Sequence, residues 1–221
     1  MLSMKSRFIV RLILALVVAA LARDLTAESQ AVPIDELPEL RAILDSTGFT
    51  GTVLVYDLKK DKYSAIGSAA AGRGHIPAST FKIFNALVAL ETGVVTDATT
   101  IIKWDGVTRE RAELNRDRDL ATAFRLSAVP HFQLLARSIG AVRMQHYVDA
   151  VSYGNRDLSG GLDQFWLSGG LRISPLEQIR FLVRLYRSEL PFSERAMATV
   201  RRIMEVERTA TSVLRAKTGW A

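Results

Sequence analysis

A serine and a lysine three residues apart, Ser79 and Lys82 in the run STFK, are the only such pair in this chain. A hydroxyl is a weak nucleophile until a base stands beside it. Residues at i and i+3 share one face of a helix, so this spacing lets the hydroxyl and the amine meet. Lys82 is flanked by Phe81, Ile83 and Phe84. Desolvation there disfavours the ammonium form and lowers the lysine pKa. A neutral amine so placed can act as a base, or can react with carbon dioxide to give a carbamate. The backbone amide of Ser79, near a helix N-terminus, is a natural oxyanion donor. A plainer reading competes: a serine near an N-cap and a lysine whose stem runs past apolar neighbours. On the S-x-x-K spacing alone, that plainer reading is the better one.

The pair must be positioned, and the surrounding pattern shows by what. Residues 79–93 (STFKIFNALVALETG) form a helix closed by Gly93, apolar nearly all round, which predicts a buried element. Residues 48–67 alternate and read as a hairpin around the polar turn Lys59–Lys62. Further helices are expected over 129–140, 142–155, 174–188 and 193–208. The helix at 174 opens Ser-Pro and carries Glu177 at capping-box spacing from Ser174. Residues 211–221 return to strand-like types. Strands at both ends with helices between predict an α+β protein whose sheet joins the terminal segments.

Five short motifs follow one another in order: STFK at 79–82, SAV at 127–129, YGN at 153–155, FWLSG at 165–169 and KTG at 217–219. S-x-x-K with K-T-G is a signature of serine β-lactamases and penicillin-binding proteins. The full series resembles the class D β-lactamases, the oxacillinase group. The resemblance runs from about residue 45 to the end and includes KWDG (103–106), NRDRDLATAF (115–124) and LRISPLEQ (171–178). It implies the DD-peptidase-like fold, an antiparallel sheet beside a helical lobe.

The resemblance also implies roles. Ser79 would be the acylated nucleophile. Lys82 would be carboxylated on its amine and serve as general base in acylation and deacylation. Trp166 would donate its indole N–H to that group. Ser127 would pass a proton to the departing ring nitrogen, close to Lys217. Val129 and Leu167 would form a dry apolar rim. Lys217, Thr218 and Gly219 would line the substrate edge, and the amides of Ser79 and Trp220 would form the oxyanion hole. Tyr153, Gly154 and Asn155 read as structural, closing the preceding helix. AELN (112–115) resembles the Glu-x-x-Leu-Asn of class A enzymes, but it precedes the Ser127 motif, so Glu113 reads as surface charge. Leu114 and Ser168 depart from the class D pattern, where many members have Trp and Glu.

The implied function is hydrolysis of the β-lactam amide of penicillin-type antibiotics through a serine acyl-enzyme, giving resistance. The competing reading is a penicillin-binding sensor domain or penicillin-binding protein that is acylated without efficient turnover. No cofactor is implied beyond carbon dioxide or bicarbonate for Lys82, and no metal: His75, His131 and His146 lack paired-ligand spacing. His131 and His146 read as surface or packing residues. The partner is a small β-lactam, and a homodimer is compatible with the resemblance.

Composition narrows the remaining classes. The 221 residues are 48% hydrophobic and 24% charged, enough for one domain. The net charge of +6 is spread among acids with no basic stripe, so a nucleic-acid partner is not indicated. There is no cysteine, hence no disulfide or thiolate chemistry. Lys5, Arg7 and Arg11, an apolar stretch from Leu12 to Leu21, and alanines at 19, 20, 22 and 27 read as a secretory signal peptide over residues 1–27. Cleavage after Ala22 or Ala27 fits equally, and an uncleaved membrane anchor is the alternative. The signal predicts a periplasmic protein, free of the membrane after cleavage, with residues 28–221 as the catalytic domain. The resemblance implies two more strands and a C-terminal helix after the Lys-Thr-Gly strand. The expectation is therefore a class D sequence cut short at Ala221, poorly folded and inactive as written, while the full-length gene product is a β-lactamase.

Overall fold

The structure, a computed structural model, describes residues 32–48 and 50–220. The signal-peptide reading of residues 1–27 lies outside the described residues. The chain enters with strand β1 (Ile34–Glu36) and a short helix α1 (Arg41–Ser46). The expected hairpin follows as β2 (Val53–Asp57) and β3 (Lys62–Ile66). Asp57 shapes its turn by accepting the amides of Lys59 and Lys60 at 3.0 and 3.1 Å. Lys62, expected in the turn, is the first residue of β3. β3 is central in the sheet, antiparallel to β2 and parallel to β1.

The helical lobe begins with a 3-10 turn at Ala78–Phe81 that runs into α2 (Lys82–Glu91). The expected helix over 79–93 is therefore a tight turn and then an α-helix, with Gly93 beyond its end at φ 72°. Every residue of α2 from Lys82 to Leu90 is buried. Two short strands, β4 (Ile101–Ile102) and β5 (Arg118–Asp119), pair antiparallel across the loop that separates them. α3 (Leu120–Arg125) is capped by Asp119, whose side chain accepts the Thr122 amide. α4 (Val129–Ile139) starts with Pro130 in its first turn and stops at Gly140, whose φ is 82°. α5 (Ala141–Val151) ends at Ser152 in the left-handed region, short of the expected 155. α6 (Pro175–Tyr186) has the capping box that Ser174 and Glu177 predict. α2 lies at the centre of the lobe, packed on α4 and on α7 (Glu194–Ile203). Its aromatic neighbours interlock: Phe81 stacks on Trp166 at 5.2 Å between ring centroids, and Phe84 meets Tyr153 at 4.9 Å.

The last expected helix needs correction. Residues 205–208 are not helical: α7 stops at Ile203, and β6 (Glu205–Arg208) pairs antiparallel with β7 (Val213–Arg215). The apolar stripe of α7 runs out at its C-cap, the buried Met204, and the Glu-Val-Glu-Arg that follows, half-buried at Glu205 and exposed beyond it, takes a hairpin partner. The α+β class stands, but the described strands fall into three separate sheets. The N-terminal sheet and the β6–β7 hairpin do not join. Residues 217–219, expected as a strand edge, form no strand.

Candidate active site

The site is built outward from the turn before α2. Ala78 takes a left-handed conformation at φ 48° although it carries a Cβ, and it is buried. Its amide donates to the Trp166 carbonyl at 3.0 Å. That bond ties the nucleophile turn to the loop bearing Trp166 and Leu167, and offsets part of the strain. The turn places Ser79, 8% exposed, against Lys82, 0% exposed. The Lys82 Nζ lies 2.8 Å from the Ser79 Oγ, at hydrogen-bonding distance. Burial above all, with the Lys217 charge second, pushes the Lys82 amine down to about 7. At neutral pH a large share of it is therefore unprotonated, and a neutral amine can accept the serine proton.

The walls around Lys82 are apolar and aromatic. The Phe132 ring centroid on α4 is 5.6 Å from its Nζ. Val129, half-buried, opens α4, and Leu167, also half-buried, packs against the core. Trp166 is completely buried, and its indole N–H has no partner. An orphaned buried donor is uncommon in folded proteins.

The second half of the site stands across from this pair. Ser127 sits at φ 53° just before α4, and its Oγ accepts from the Lys217 Nζ at 3.0 Å. Lys217 also donates to the Thr218 carbonyl at 2.8 Å, and burial lowers its pKa from the usual lysine value. The backbone of Gly219 comes against the nucleophile turn: a Cβ there would meet the Thr80 methyl at 2.9 Å. Thr218 and Trp220 are exposed, Trp220 at 86%. The structure thus brings Ser79 to Lys82 and Ser127 to Lys217, sets the backbone of Gly219 against the turn that bears Ser79, and ties that turn to Trp166, while Thr218 and Trp220 are exposed.

Other residues fall where their chemistry suggests. Tyr153 is buried beneath Phe81 and Phe84, and its hydroxyl bonds Gln178 at 3.0 Å. Asn155 holds the next turn, accepting the Arg172 amide and donating to the Gly170 carbonyl. Glu113 is exposed and Leu114 buried. His131 is a packing residue, buried with its Nε2 3.0 Å from the Arg116 carbonyl. Among the described residues no cluster of three His, Asp or Glu could hold a metal. Sequence reasoning passed over Phe132 and Asn85. Asn85 had a signal: it is the single polar residue in the run 83–90.

Comparison with known proteins gives this geometry a context. Residues 50–221 match the family model of the penicillin-binding protein transpeptidase domain. β-Lactamase OXA-48 of Klebsiella pneumoniae is 45% identical over 171 residues, covering 77% of this chain and 64% of that protein. The probable β-lactamase YbxI of Bacillus subtilis is 45% identical over 169 residues, covering 76% of this chain and 63% of that protein. The chain thus spans somewhat under two thirds of the length of these curated relatives. Among solved structures, a class D β-lactamase from Nostoc superposes with a TM-score of 0.78 at 46% identity, covering 80% of this chain and 75% of that one. FUS-1 (OXA-85), a class D β-lactamase from Fusobacterium nucleatum, superposes with a TM-score of 0.81 at 37% identity, covering 85% of this chain and 78% of that one.

Proposed function

The chain belongs to the class D β-lactamases within the penicillin-binding transpeptidase family, and from that premise we propose that it hydrolyses the amide bond of penicillin-type β-lactams through an acyl-enzyme on Ser79. The observation that carries the reading is the contact at 2.8 Å between the Ser79 Oγ and the buried Lys82 Nζ, whose pKa burial pushes down to about 7. Ser79 attacks the lactam carbonyl while the Lys82 side chain takes its proton. The amides of Ser79 and Trp220 receive the developing oxyanion. The ring C–N bond breaks, the departing nitrogen takes a proton from Ser127, whose hydroxyl is held by Lys217, and Ser127 regains one by relay of the proton that the Lys82 side chain took from Ser79, which leaves Lys82 a free base again. Water then attacks the acyl carbonyl, gives its proton to the Lys82 side chain, and restores the Ser79 hydroxyl.

Lys82 is further proposed to be carboxylated by carbon dioxide. When formed, that group supplies a carboxylate-like base. Trp166 would hold it through its unpartnered indole N–H, and Val129, Leu167 and Phe132 would keep water from it. The leader-like residues 1–27 support export to the periplasm, where β-lactam hydrolysis would confer resistance.

Turnover of a chromogenic cephalosporin at several bicarbonate concentrations tests both parts. Activity is expected to rise with bicarbonate, and Lys82→Ala is expected to abolish deacylation. Full activity in carbon-dioxide-free buffer would remove the carboxylation. A burst of acylation with no turnover would replace the hydrolase by a penicillin sensor.

A further inference from the structure

A buried polar side chain in the middle of α2 is unexplained by the reaction. Asn85 is 0% exposed in a run that is otherwise apolar, one turn beyond Lys82 on the same helix face. Burying an amide without full hydrogen bonding is unfavourable. Asn85 nevertheless meets only part of its requirement: its Nδ2 donates to the Phe132 carbonyl at 3.1 Å, and its Oδ1 has no partner. An aliphatic residue of similar size would fill the space without that penalty.

What the hydrogen bond holds gives the reason. It runs from α2 to the first turn of α4, five residues after Ser127. The ring of Phe132 stands beside the Lys82 amine, with its centroid 5.6 Å from the Nζ. The same ring packs edge-on against Phe124 at 6.2 Å, and the Lys217 Nζ lies 5.8 Å from the Phe124 centroid. Both amines of the site are thus set against one aromatic pair. Among the described residues, the only side-chain hydrogen bond from α2 to the backbone bearing that pair comes from Asn85.

We propose that Asn85 is a positioning residue: its amide clamps the first turn of α4 to α2, and so fixes the Phe132–Phe124 pair against which Lys82 and Lys217 are placed. It touches neither substrate nor reacting atoms. The kinetic consequence rests on the β-lactam reading, whereas the clamp itself does not.

Hydrogen exchange and kinetics on Asn85→Leu test it, with Asn85→Ala as a second variant should leucine prevent folding. Exchange at the amides of residues 131–133 is expected to rise roughly tenfold, the size of one lost hydrogen bond. The amides of the α7 face of α2 should stay protected. In kinetics, kcat is expected to fall by about the same factor with KM little changed, since alignment of the two amines is lost and substrate contacts are not. Unchanged exchange at 131–133 in whichever variant folds would overturn the clamp. So would a uniform rise across the whole lobe, the mark of general destabilisation. Changed local exchange in a protein whose parent shows no β-lactam turnover would leave the clamp standing and remove the functional reading instead.

Discussion

Lys82 and Lys217 share one aromatic pair but live in opposite surroundings. Lys82 opens a helix buried along almost its whole length, in a lobe whose side chains interlock through Phe81, Phe84, Tyr153 and Trp166. Lys217 lies in a segment of exposed neighbours beyond a three-residue strand. That segment rests on few contacts: the Ala216 amide on the Met204 carbonyl, Lys217 on Ser127, and Gly219 against Thr80. Past Met204, no buried apolar residue contributes to the core among the described residues. The half of the site that moves the serine proton is thus part of the core. The half that faces substrate leans against it from outside.

Removing the two amines gives the largest expected contrast. Lys82→Ala should lower β-lactam turnover by about 10³-fold or more, at the upper part of the range for a lost general base. Lys217→Met should cost roughly 10²-fold, because Ser127 remains in place to deliver a proton. Steady-state kinetics on both variants measure this, and equal losses would erase the distinction between the halves.

Stability should divide along the same line. Phe84→Ala, within the interlocked lobe, is expected to cost about 3–5 kcal/mol. Leu214→Ala on the exposed hairpin should stay within about 0.5 kcal/mol. Urea unfolding of each variant provides the comparison. A large effect at Leu214 would show that the C-terminal hairpin belongs to the core after all.

The pH dependence is smaller and its sign is set by Lys82. In the fold this amine is neutral above about 7, whereas unfolded it keeps its proton up to its usual value near 10.5. Between those values the unfolded chain binds more protons, so stability rises with pH across that window. Below about 7 both states are protonated, and the full penalty of the buried charge is present. Lys217, also lowered by burial, adds to the same slope. Lys82→Met should flatten the rise, and Lys217→Met should flatten it less. Activity before carboxylation should show an acid limb near 7, readable from kcat/KM in carbon-dioxide-free buffer.

The halves also differ in how much of them sequence could show. The Ser79–Lys82 pair and the Ser174–Glu177 capping box are local, and both form at the expected spacing. Buried helices announce themselves by composition, as α2 does. What depends on distant partners was hidden. The 193–208 run has helical amphipathicity, yet its end turns into β6 because β7 offers a ladder. β1 pairs in parallel with β3, a match no local pattern encodes. Lys-Thr-Gly could be recognised as a motif, and residues 217–219 form no strand. Asn85 was visible as an odd residue in an apolar run, but its role needed the Phe132 carbonyl, 47 positions away.

The most direct measurement is a time course of intact mass and peptide mapping with benzylpenicillin. The account predicts an adduct on Ser79 that forms and then disappears as product accumulates, and an adduct that persists in Lys82→Ala. No adduct on Ser79, or one that persists on the unaltered protein, would contradict it.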